Sequence, residues 1–245
     1  MTHALTPEAL DAYAHEYYLN REEVADLHVE ELQQEHSADL IAGAVAGCAR
    51  VLELGVGTGQ MTRALRERGV AIEVVEGSPV LAAQAREEHP GLVVHEAMFE
   101  DFAPAAPYDA VLALHVVEHV DDPRAMLAHL ATWVRPGGRL VVVVPNAESL
   151  HRRLAVRMGL QDRLDSLSPR DRLVGHQRVY TLDGLRADVE SAGFACTGEH
   201  GWFLKTLPNA MMLDWPAELL VALNEISAEL DPRLLANIAL VAERR

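Results

Sequence analysis

Cysteine, aromatic side chains and basic charge are all scarce in this chain, and each shortage excludes something. Cys48 and Cys196 are its only thiols among 245 residues. They lack the spacing of a disulfide framework or a metal site, so they read as reduced, packed side chains, compatible with a cytoplasmic protein. Lys and Arg number 21 against 37 acidic residues, a formal net charge of −16, and a field of that sign repels a nucleic-acid backbone. No run reaches the roughly 18 apolar residues of a membrane span, and the opening stretch MTHALTPEALDAYAHEYY is polar and acidic where a secretory signal would be basic and then apolar. Neither a nucleic acid nor a membrane is therefore expected as a partner, and the oligomeric state stays open. Three Trp, five Tyr and four Phe leave little to stack on a flat ligand, which favours a polar one.

What the chain does have is core: 49% of its residues are hydrophobic, enough for one α/β domain with elaborations. Short apolar runs at RVLEL (50–54), IEVVE (72–76), LVVH (92–95), DAVLAL (109–114) and RLVVVVP (139–145) suit strands covered on both faces. Between them QMTRALRERG, SPVLAAQAREEHPG and DDPRAMLAHLATWVRPGG carry helical spacing and end at Gly or Pro-Gly stops. This alternation predicts a doubly wound, mostly parallel sheet with helices on both faces. Residues 48–145 would be its core and 182–245 its carboxyl-terminal part, with a helix at LDGLRADVESAGF and a last apolar run at NIALVAE (237–243). Residues 1–47, with helices from residue 6 and with Tyr13, Tyr17 and Tyr18, read as a lid. The polar insertion 146–181 reads as a substrate-side wall.

VLELGVGTG (51–59) runs a strand into Gly55, Gly57 and Gly59, with Glu53 just before them. Glycine at alternate positions serves a tight turn or a backbone that must approach a ligand closely. A dinucleotide fingerprint would require its third glycine at position 60, which is Gln60, so a dehydrogenase is disfavoured. The spacing, with an acidic residue two before the first glycine, instead resembles motif I of the class I S-adenosylmethionine-dependent methyltransferases.

That resemblance implies a Rossmann-like seven-stranded sheet and S-adenosylmethionine at the glycine turn, in contact with Glu53, Gly55, Gly57, Gly59 and Gln60. The second strand ends IEVVEGSP, and similarity to the family gives Glu76 the ribose diol, with Gly77 and Ser78 beside it. After the third strand the family often carries an acidic residue for the adenine amino group. Here the segment is HEAMFEDF, so Met98 and Phe99 would offer backbone and apolar faces instead. The segment LALHVVEHVDDP closely resembles that of ubiquinone-pathway O-methyltransferases and places Leu114 and His115 at the cofactor. GHQRVYTLDGLRADVESAGF (175–194) looks like the return segment of small-molecule and sugar-type members. Tyr13 and Tyr18 would reach the cofactor's polar end from the lid.

The resemblance implies methyl transfer to oxygen or nitrogen of a small molecule; a catalytically silent cofactor-binding regulator is the alternative. His176 and His119 are the candidate bases or substrate anchors, with Arg178 and Tyr180 beside the acceptor. His115 and His119, four apart, would share a face if helical, but no third ligand stands at a telling distance, and no metal is expected.

Overall fold

The computed structural model describes residues 6–19 and 27–245. Its strands are β1 (Val51–Leu54), β2 (Ile72–Glu76), β3 (Val93–Glu96), β4 (Tyr108–Leu114), β5 (Val134–Pro145), β6 (Phe194–Trp202) and β7 (Asn237–Arg244). They form one sheet in the order β3-β2-β1-β4-β5-β7-β6. The first five run parallel, and β7 is inserted antiparallel between β5 and β6. The order reverses between β1 and β4, which is where open sheets of this kind bind ligands, beyond the carboxyl ends of the strands.

The helices are α1 (Pro7–Tyr13), α2 (Leu27–Ala44), α3 (Gln60–Glu67), α4 (Pro79–Glu88), α5 (Pro123–Trp133), α6 (Leu150–Arg157), α7 (Pro169–Leu173), α8 (Leu182–Ser191) and α9 (Ala217–Glu225). Ser78, Asp122 and Thr181 cap α4, α5 and α8 through their side-chain oxygens, each satisfying amide donors that a helix start leaves bare. Two cores result, one on each face of the sheet. Leu52, Val111, Trp133 and Leu185 belong to one, and Val51, Ile41, Leu65 and Val74 to the other. Neighbours in β1 thus point to opposite faces, as strand geometry dictates. Among the described residues no helix is long and apolar enough to cross a membrane.

Three local differences separate this fold from the sequence reading. The helix expected through 121–138 stops at Trp133, and β5 begins directly at Val134. The Pro-Gly-Gly stretch that reads as a helix stop bulges out of the β4–β5 ladder, where Tyr108 faces Val134 but Ala110 faces Arg139. The insertion 146–181, for which the sequence offered no elements, carries two helices, α6 and α7. Of the segment 1–47, residues 1–5 and 20–26 and the Tyr17 side chain lie outside the described residues.

Candidate active site

Gly55, Gly57 and Gly59 all have left-handed backbone, with φ of 73°, 52° and 74°, a conformation that side-chain-bearing residues avoid. Their alternate spacing therefore has a conformational cause as well as a steric one. Across from them stands Glu76 at the carboxyl end of β2. It is buried, and its Oε2 accepts the Val56 amide at 2.9 Å while Oε1 accepts the Ser78 amide at 2.7 Å. The carboxylate ties the glycine turn to the start of α4 and still has lone pairs to spare. Burial pushes its pKa up, against the pull of these backbone bonds.

Glu53 lies behind this wall. Strand alternation turns it toward α3, where the Thr62 hydroxyl donates to its Oε2 at 2.6 Å. Only 2% of it is exposed, and burial, aided by the Glu76 charge, lifts its pKa to about 8 despite the Thr62 bond. Its role is that of a prop under the turn, correcting the expectation of direct ligand contact. Gln60 is likewise turned away: its amide donates to the Glu31 carbonyl at 2.9 Å and ties α3 to α2.

The amino-terminal segment lies on top. Asp11 of α1 accepts from the Ser78 hydroxyl at 2.5 Å and from the Val80 amide at 3.2 Å. A Cβ on Gly77 would come within 2.7 Å of Leu10 Cδ1 and 2.9 Å of Met98 Sδ, so a bare backbone is needed where α1 and the post-β3 segment converge. Helix α1 then widens into a π-helical turn, Ala14–Tyr18. Positions five apart diverge on an α-helix, but the wider turn brings Tyr13 and Tyr18 edge to face with ring centroids 5.4 Å apart. The Tyr18 ring reaches within 3.7 Å of where a Gly57 Cβ would project. Tyr13, mostly through burial, has its pKa raised to about 12. Phe99 packs against the core beneath this edge, and its carbonyl contacts His129 Nε2 at 3.2 Å. Leu114 is half-buried on the opposite face.

Beyond β4 the chain makes a turn, not a helix. His115 has a left-handed φ of 56°, its amide bonds the Val143 carbonyl at 2.9 Å, and its Nδ1 meets Glu118 Oε1 at 3.1 Å. Glu118 is fully buried. The absence of a third partner in the sequence is corrected by the fold: α7 and the loop after it bring His176 to His119, with ring centroids 4.8 Å apart, and His176 Nε2 to 3.9 Å from Glu118 Oε1. Asp171 Oδ1 holds His176 Nδ1 at 3.0 Å, and Arg152 pairs with Asp171 Oδ2 at 2.6 Å. Burial would raise the Asp171 carboxyl, but His176, Arg152 and Ser168 together hold it well below the usual range. His119 is pushed down to about 4, mainly by burial.

A family model described as a methyltransferase domain matches residues 13–199. The chain belongs to the methyltransferase-domain family. It is 35% identical over 104 residues to the ubiquinone biosynthesis O-methyltransferase of Xylella fastidiosa, covering 40% of this chain and 42% of that one. It is also 35% identical over 126 residues to the trans-aconitate 2-methyltransferase of Methylobacterium nodulans, covering 50% and 49%. The chain thus spans about half the length of the curated relatives it matches. In fold it resembles a solved S-adenosylmethionine-dependent methyltransferase of Thermotoga maritima, described as a possible histamine N-methyltransferase, with TM-score 0.66, 18% identity and coverage of 96% and 100%. Magnesium protoporphyrin IX methyltransferase from Synechocystis, solved with the demethylated cofactor bound, gives TM-score 0.56 at 16% identity, covering 87% and 84%. The cofactor of this family is S-adenosylmethionine.

In the methyltransferase domain two expected substrate contacts turn out to be structural. The Arg178 guanidinium is consumed by the carbonyls of Val117, Val120 and Asp121, so it fastens the 115–121 turn. Tyr180 is buried in the core with its hydroxyl 3.4 Å from Asp188. Other contributors to the site carry no motif. Asp11 had no signal beyond lying on a helix of the expected lid. Asp171 and Arg152 were hidden in a segment without a motif, although the Ser168–Asp171 capping box is legible in SPRD.

Proposed function

We propose that the protein transfers a methyl group from S-adenosylmethionine to an oxygen or nitrogen of a small polar acceptor. The observation that carries this reading is Glu76, a buried carboxylate at the end of β2 facing three left-handed glycines after β1. When bound, the cofactor supplies an electrophilic methyl on a positively charged sulfur. The glycine turn offers backbone without Cβ atoms, Glu76 retains acceptor capacity for a ribose diol, and Met98 and Phe99 follow β3 on the adenine side. Tyr13 and Tyr18 close the cradle from the amino-terminal segment, and Leu114 and His115 border it at β4.

The acceptor belongs on the side of the 115–121 turn and the 146–181 insertion, where the only polar cluster of histidines among these elements collects. His176 is our choice as proton acceptor or substrate anchor, because a histidine held near pKa 4, as His119 is, takes up few protons at neutral pH. A polar acceptor fits the distribution of rings: Tyr108, Trp133, Phe194, Trp202 and Phe203 are all spent in the cores. Positioning and exclusion of water can carry much of the rate of methyl transfer. A panel of hydroxyl, carboxyl and amine acceptors incubated with labelled cofactor tests this. Label transfer supports the reading. Binding of the cofactor without transfer to any acceptor class would favour a silent regulator, and tighter binding of NAD than of the sulfonium would overturn it.

A further inference from the structure

The cluster at the acceptor side has the make-up of a metal centre. Glu118, His119 and His176 each present a ligand atom, and the three atoms lie within 4.8 Å of one another. Two donors about 2.1 Å from a common ion stand at most about 4.2 Å apart, so small side-chain torsions suffice to enclose one. Two further observations distinguish this cluster from a chance meeting of polar groups. Glu118 is fully buried, yet its Oε2 has no hydrogen-bond partner, a state that ordinarily costs free energy unless something occupies the site. His176 is oriented by Asp171 at Nδ1, which leaves Nε2 facing the cluster. A carboxylate or a backbone carbonyl on the far nitrogen is the usual device that fixes a metal-binding imidazole.

We propose that Glu118, His119 and His176 bind a divalent first-row transition metal, whose remaining positions hold an oxygen atom of the acceptor. Two imidazoles and one carboxylate suit Zn²⁺, Co²⁺, Fe²⁺ or Mn²⁺ better than Mg²⁺ or Ca²⁺, which favour oxygen ligands. Three protein ligands leave coordination positions open. An acceptor hydroxyl bound there loses its proton to solvent more readily, because the cation stabilises the oxyanion. His119 and His176 then act through the ion, as anchors of the acceptor. The acceptor half of this inference rests on the methyltransferase reading; the metal half does not.

Protein treated with a chelator and dialysed is titrated with Co²⁺ and Zn²⁺ by calorimetry, and the Co²⁺ complex is followed by its visible absorption. One ion per chain is expected. His119→Leu and His176→Leu should each abolish uptake, and Asp171→Asn should weaken it by about 10–100-fold. Glu118→Gln, close in size to the native residue, should do the same as the histidine variants while keeping native near-ultraviolet circular dichroism. No stoichiometric uptake by the native protein, or unchanged uptake in both histidine variants, overturns the site. The same samples are titrated with S-adenosylhomocysteine. Binding of that product without metal uptake defeats only the metal inference, and metal uptake without it defeats only the methyltransferase reading.

Discussion

The Arg152 guanidinium and the Asp171 carboxylate form a buried ion pair at 2.6 Å, their side chains 5% and 8% exposed. The pair joins α6 to α7 and thereby sets where His176 stands. Removing one member of such a pair leaves the other charged and unmatched, so Asp171→Ala should cost about 3–5 kcal/mol of stability. Urea denaturation measures it. The native pair should also weaken in acid: the folded-state pKa of Asp171 is depressed, so its contribution is present above the unfolded value and disappears as pH falls through the folded one. A variant as stable as the native chain would show that α7 is held by other contacts.

Glu76→Ala should weaken binding of S-adenosylmethionine and of its demethylated product by about 1–3 kcal/mol, the typical worth of a buried acceptor left out. Calorimetry gives the affinities, and a thermal melt of the unliganded variant separates lost binding from lost structure. Equal affinities in variant and native protein would remove Glu76 from the site.

Gly57→Val is expected to abolish cofactor binding with little change in far-ultraviolet circular dichroism. The φ of 52° is hostile to a β-branched residue, and the new side chain would press on Tyr18. Global unfolding of the variant would instead assign the glycine a purely structural role.

The amino-terminal segment should close on bound cofactor. Protection from proteolysis between residues 10 and 35 is expected to rise when the demethylated product is added, and Gly77→Ala, whose methyl would push against Leu10 and Met98, should lower that protection. Cleavage at one rate with and without ligand would make Tyr13 and Tyr18 ordinary packing residues.

Glu53 supplies a pH signature. Its pKa in the folded protein, about 8, lies above the ordinary value of 4.5. The folded state therefore holds a proton that the unfolded chain releases, and stability declines as pH rises between those two values. Glu53→Gln keeps an acceptor for Thr62 and should flatten this slope, with a gain of order 1–3 kcal/mol near pH 8. Denaturation curves at pH 5 and pH 8 decide it; parallel pH dependence in variant and native protein would refute the assignment.

The parts of this fold that were legible in the sequence share one physical origin. The runs RVLEL, IEVVE and RLVVVVP are apolar on successive residues because both faces of their strands are covered. The glycines after β1 announced themselves because positive φ at alternate positions has no other cheap solution. What stayed hidden depends on contacts distant in sequence or on local geometry without a residue signature. His176 meets His119 only because α7 and its Arg152 partner return the chain, and nothing in GHQRVYT reveals that Arg178 spends its donors on carbonyls. The π-helical turn pairing Tyr13 with Tyr18 has no spacing of its own. Helix α9 escaped because Leu219 and Val221 are exposed, which blurs its apolar stripe.

The antiparallel insertion of β7 between β5 and β6 has a consequence for how the molecule assembles. Strand β6 hydrogen-bonds to β7 alone, so while residues 203–236 are being synthesised it has no partner on either side. Long-range pairings of this kind are slow to form and leave strand edges bare meanwhile. During that interval β5 and β6 both display open edges to which another nascent chain could add a strand. Delivery of Asn237–Arg244 fills the gap between β5 and β6 and, of these two strands, leaves bare only the outer edge of β6, which makes that segment the keystone of the sheet, and slowing translation just before it is expected to increase aggregation more than an equal pause before β2.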